Sequence, residues 1–125
     1  MSKTKEKALK DGLVYFLAYG QFKKGGLRHS MLGKCKFICE DESAELLYMY
    51  EYEKGMARVL PPNGVGKNIK VEVYTMEEKS LRDLQKKLAL DSCSTTTKSG
   101  IIGYLLIDQP FHNGISLQRG SIYDC

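Results

Sequence analysis

The run LVYFLAY at 13–19 constrains the fold of this chain more than any other stretch. It is apolar at every position rather than at every second one, which suits a strand sealed on both faces. Such a strand belongs in the middle of a layered domain, with neighbours on either side. The run breaks at once into GQFKKGGLRHSML. A strand entering a glycine turn and then a short helix leaves backbone N–H groups unsatisfied, and these attract negative charge. Lys23 and Lys24 add mobile cations, and the Arg28 guanidinium can fork onto a carboxylate or phosphate. The GKS or GKT of a triphosphate P-loop is absent. On these residues alone the segment is either an anion site or an exposed basic turn.

A chain of 125 residues, 42% hydrophobic, supports one core and predicts a single domain over 12–125, preceded by a flexible basic tail at 1–11. That tail, MSKTKEKALKD, has no apolar centre, so it does not read as a secretory signal. No stretch reaches the ~18–20 apolar residues of a membrane helix. The net charge of +4 suits a small anionic ligand or simply a soluble surface, and is weaker than a duplex-binding domain requires. Cys35 and Cys39 alternate with Phe37 in KCKFIC and read as buried thiols rather than a metal or disulfide pair. A reducing, cytoplasmic setting is the expectation, with no metal or cofactor implied.

Strand signals dominate the rest. KCKFIC (34–39) and AELLYMYEY (44–52) read as a hairpin joined by the acidic turn EDES, and MARVL as a short strand before a proline-glycine loop. IKVEVYTM (69–76) alternates, with Val71, Val73 and Thr75 opposite Glu72, Tyr74 and Met76. In EEKSLRDLQKKLAL (77–90) the period changes: Leu81, Leu84 and Leu88 form a helical stripe, with acids first and lysines last. SCSTTTKSG reads as a loop, and SGIIGYLLID and GISLQRGSIYDC as final strands around QPFHNG. The class is α+β with a curved or closed sheet.

VYFLAYGQFKKGGLRHSML resembles the opening of the γ-glutamylcyclotransferase-like family. There a first strand runs into a tyrosine-glycine loop, a basic-glycine turn and a helix start with His or Asn-His. VEVYTM followed by SLRDLQKK resembles that family's strand and helix, with Val71 where the family has glycine. The resemblance spans roughly residues 13–90. It implies a small mixed β-barrel of about six strands flanked by short helices, with a cavity at the tyrosine-glycine loop. Carried onto this sequence, the ligand-binding residues are Tyr19, Gly20, Gln21, Phe22, Lys23, Lys24, Gly25, Arg28 and His29; Arg58, just before the proline loop, reads as a second anion contact or a surface charge.

The family's reaction needs a carboxylate that takes a proton from the substrate's α-amine and returns one to the leaving amine. The family glutamate falls at Leu88, or at Ser94 in a shifted register, and neither is a base. Asp91 and Glu72 could substitute only with a rearranged backbone. The expectation is therefore a non-catalytic protein that captures an anionic small molecule. A nucleotide or cyclic nucleotide messenger suits basic residues beside several tyrosines, sequestered as some viral proteins sequester host messengers. The tyrosines of 48–52 read as sheet packing or as a wall for a stacked base. A cyclotransferase releasing 5-oxoproline and a structural or interaction module stand as alternatives, and a homo-oligomer sharing a pocket is left open.

Overall fold

A computed structural model describes residues 12–108. The expectations for the tail at 1–11 and for the strand GISLQRGSIYDC lie outside them, as does the side chain of Tyr52. The described residues form seven strands: β1 (Leu13–Ala18), β2 (Lys36–Glu42), β3 (Met49–Glu53), β4 (Met56–Val59), β5 (Lys70–Glu77), β6 (Asp91–Thr96) and β7 (Ile102–Ile107). A helix, α1 (Glu78–Leu88), follows β5, and two short 3-10 turns, Gly20–Phe22 and His29–Leu32, follow β1. Five strands form a mixed sheet in the order β2-β5-β1-β7-β6, while β3 and β4 pair as a separate ribbon.

The apolar run becomes β1 at the centre of the sheet. It is antiparallel to β5, with Phe16 opposite Tyr74, and parallel to β7, with Phe16 opposite Tyr104. Phe16, Leu17 and Ala18 are fully buried, as a strand covered on both faces requires. β5 sits between β1 and β2 and alternates as expected, with both faces covered in part: Val71 and Val73 are buried on one face, and Tyr74 and Met76 on the other.

Three expectations are corrected. The described strands do not close into a barrel. The two sheet edges meet only at one end, through the bridge Ser43↔Thr97, the Ala44 N–H to Thr96 O bond and the Lys98–Glu42 ion pair. The 34–52 hairpin does not form either. EDES extends β2 rather than turning it, with Glu40, Asp41 and Glu42 paired to Glu72, Val71 and Lys70 of β5, and β3 pairs with β4 instead. Lastly, the threonine-rich stretch is strand β6, in which Cys93 and Thr95 alternate inward. Its β-branched threonines and period of two outweighed its polar composition.

α1 buries Leu81 and Leu84 and packs Leu88 against the same core. Arg82 ties it down, donating to Gln85 Oε1 (2.6 Å) and Ser92 Oγ (3.1 Å), with its guanidinium 5.6 Å from the Tyr104 ring centroid. The helix ends at Ala89, whose φ of 56° is left-handed without glycine's freedom. Ala89→Gly is therefore expected to stabilise the protein by about 0.5–1 kcal/mol, read as a rise in Tm.

Candidate functional site

The loop after β1 is built by turning its largest side chains inward. Tyr19 is fully buried, and its hydroxyl donates to Leu106 O at 2.5 Å. Phe22 is also fully buried, edge-on to Phe16 and Tyr19 at centroid distances of 6.0 and 5.6 Å. The Gln21 amide pairs with the backbone of Ala57 like an extra strand residue: Nε2 donates to Ala57 O (2.8 Å) and Oε1 accepts from Ala57 N–H (2.8 Å). These three residues fix the loop, and their side chains are spent doing so.

The chain then folds back tightly. Gly26 N–H donates to Lys23 O (2.8 Å) and Arg28 N–H to Gln21 O (2.9 Å). A Cβ at Gly26 would sit 2.3 Å from the Gln21 carbonyl oxygen, so only glycine permits this approach. Outside this fold Lys24 and Gly25 are exposed and Lys23 is half-buried. The amides of Gly20, Gln21 and Gly25 make no hydrogen bond among the described residues.

Facing this loop is a second glycine loop, GVGKNIK at 64–70. Gly66 has φ 124°, and a Cβ there would fall 2.1 Å from Leu47 O, so the 64–70 loop lies directly on the Leu47 backbone. Leu47 and Lys67 close the contact with reciprocal N–H to O bonds of 2.9 Å. Between the two loops is a cleft of about 920 Å³. Its walls carry four lysines, Lys23, Lys24, Lys67 and Lys70, and no carboxylate residue among those described lines it. None of the four is in an ion pair among the described residues. Leu47 and Ile69 give it an apolar lining, and half-exposed Tyr48 and Met49 flank it. The volume lies at the upper end of small-molecule sites.

Of the residues expected at the site, Gly20, Lys23, Lys24 and Gly25 line this cleft. Arg28 and His29 do not. His29 Nδ1 donates to Phe22 O (2.9 Å) and its ring lies 5.5 Å from Tyr74, which makes it a strut for the loop. Arg58 is also elsewhere, ion-paired with Asp108 (3.3 Å), whose other oxygen accepts from Tyr50 (2.6 Å). Tyr50 is thereby committed to packing, while Tyr48 stays at the cleft. Lys67 and Lys70 were missed by sequence reasoning, although the glycine-lysine pattern of 64–70 repeats the character of 20–26 and could have flagged them.

A second, smaller cavity of about 580 Å³ adjoins on the far side of Lys24, lined by His29, Cys35, Glu72 and Tyr74 among others. Glu72 Oε1 accepts from Lys24 N–H (2.8 Å) and from the Tyr74 hydroxyl (2.9 Å). Burial, then the hydrogen bond and charge of Glu72, then Cys35 push the Tyr74 phenol far above the ordinary tyrosine range, so it remains a donor. Leu88 lines neither the cleft nor this cavity. Asp91, also outside both, opens β6 opposite Ile107, and burial pushes its carboxyl up.

No family model and no curated protein matches the chain. Solved structures do match. An AIG2-like protein of Mus musculus superposes with a TM-score of 0.68 at 14% identity, over 81% of this chain and 80% of that one. An uncharacterised protein from Pyrococcus horikoshii gives 0.60 at 22%, over 79% and 80%. A γ-glutamyl cyclotransferase gives 0.55 at 13%, over 87% and 85%. This chain has the γ-glutamylcyclotransferase-like fold, with an open, curled sheet among its described residues.

Proposed function

We propose that the protein captures a small anionic ligand of nucleotide type in the lysine cleft and leaves it chemically unchanged. The observation that carries this reading is the lining itself: four lysine ammonium groups without acid partners among the described residues, over an apolar floor. Such a cleft attracts phosphate oxygens electrostatically, and the exposed Tyr48 ring offers a face for a base. In the register that puts the family's glutamate at Leu88, this side chain packs against the core and offers no base. A sequestering role toward a nucleotide or cyclic nucleotide messenger follows from capture without conversion.

Titration calorimetry with ADP, a cyclic dinucleotide and γ-glutamyl dipeptides tests this reading. Binding of a phosphate-bearing ligand is expected, weakening steeply with added salt, with the ligand recovered intact by mass spectrometry. Leu88→Glu should leave that affinity unchanged. Absence of binding across the panel, or conversion of a bound ligand, overturns the proposal.

A second reading has its own observation. The Glu72 carboxylate accepts a hydrogen bond from the amide of Lys24, which puts an acid–base group against the 20–26 loop. Release of 5-oxoproline from γ-glutamyl dipeptides or γ-glutamylamines, abolished by Glu72→Gln, would establish that reading.

A further inference from the structure

Asn68 lines the lysine cleft, and its carboxamide has one possible orientation. Nδ2 donates to two main-chain carbonyls, Ser43 O (2.9 Å) and Ala44 O (3.1 Å). Two carbonyl acceptors take both hydrogens of the NH2 end, so the oxygen is turned away from them. Asn68 Oδ1 accepts no hydrogen bond among the described residues, and it is open to solvent rather than sealed in the core. We infer that Oδ1 is the group by which the cleft reads its ligand's base: it accepts an N–H from an exocyclic amino group, as adenine carries, and so selects amino-bearing bases. The inference rests on the proposal that the cleft takes a nucleotide, and it adds which nucleotides are preferred.

Three observations support a reading role over mere anchoring. First, the other polar side chains described in the lining are the four lysines, which donate to phosphate, and the Tyr48 hydroxyl. Asn68 alone among them brings a carbonyl oxygen, the acceptor that an amino group needs. Second, the bridge Leu47↔Lys67 joins the segments that carry Tyr48 and Asn68, and each of these two residues directly follows a partner of the bridge. The ring offered to a base and the acceptor offered to its edge therefore flank one contact. Third, the acceptor is held in place. Ser43 is fully buried, its N–H donates to Ile69 O (2.8 Å), and its Oγ accepts from Ile69 N–H (2.9 Å). The backbone on either side of Asn68 is thus fixed without its side chain, and the carboxamide cannot turn without losing both Nδ2 bonds. An acceptor ordered in advance loses little freedom when the ligand arrives.

The test is calorimetric titration of ADP and of purine riboside 5′-diphosphate, which lacks the amino group, into the wild type and Asn68→Ala at one salt concentration. Both ligands carry the same diphosphate, so the lysine attraction cancels in the ratio of their affinities. The wild type is expected to prefer ADP by about 3–10-fold, the size of one neutral hydrogen bond, and Asn68→Ala to show no preference. In the wild type the Asn68 Nδ2 NMR signals should also move further with ADP than with the analogue, because a bond to Oδ1 polarises the whole carboxamide. If Asn68 only anchors its loop, the variant weakens both ligands by one factor, the preference for ADP persists, and the inference falls. Equal affinities or equal Nδ2 shifts in the wild type overturn it without the variant, while leaving the proposed function standing. Failure of the wild type to bind either ligand removes both.

Discussion

Reversing charge at Lys67 and Lys70 together should weaken binding of a phosphate-bearing ligand on the order of a hundredfold. The estimate takes about 0.7 kcal/mol for each attraction lost and each repulsion gained at the two residues, which totals about 2.8 kcal/mol. Both side chains are exposed and lie in no ion pair among the described residues, so folding stability should hardly change. The loss should shrink as salt rises, because added ions screen both the attraction and the new repulsion. Calorimetry of the Lys67→Glu/Lys70→Glu protein at two salt concentrations checks both statements. The same reversal at Arg28 and Arg58, which lie outside the cleft, serves as the comparison and should cost much less.

The largest stability effect is expected at Phe22. Its ring is fully buried, edge-on to Phe16 of the central strand and to Tyr19. Phe22→Ala should destabilise the protein by about 3–5 kcal/mol, through lost transfer energy and the cavity left behind. That is a large share of the roughly 5–15 kcal/mol that holds most domains folded. Thermal unfolding should show Tm lowered by roughly 10–20 °C. Because Phe22 ends the 3-10 turn that carries Gly20 into the cleft, ligand affinity should fall as well, even below the new Tm. A drop in Tm without a drop in affinity would mean that the loop keeps its shape independently of the core beneath it.

The part of the fold carried by local pattern was legible. LVYFLA could only be a doubly covered strand, and the Leu81, Leu84 and Leu88 spacing could only be one helical face. Misreadings arose where tertiary partners decide. KFICEDE looks like a strand ending in a turn, yet its acidic end is kept extended by β5 and by Lys98, neither of which is adjacent in sequence. DSCSTT looks like a loop because it is polar, but only its inward residues needed to be small or β-branched.

The cleft was half legible for the same reason. Its glycine-lysine loop is a local feature of residues 20–26. The opposite wall exists because Gly66 lets 64–70 lie on the Leu47 backbone, a contact that no nearby residue announces. Arg58 was drawn away by Asp108, fifty positions along the chain. The tyrosine-glycine loop pointed to the right region, while its tyrosine, glutamine and phenylalanine proved to be the loop's foundations and not its contacts.

The central claim is that an anion enters between the two glycine-lysine loops and is held there intact. An amide NMR titration with ADP tests it most directly. The account predicts saturable shifts concentrated at Gly20, Lys23–Gly26 and 67–70, with the nucleotide unchanged at the end. Shifts centred instead on Leu88 and the end of α1, or a spectrum that does not move at all, would contradict it.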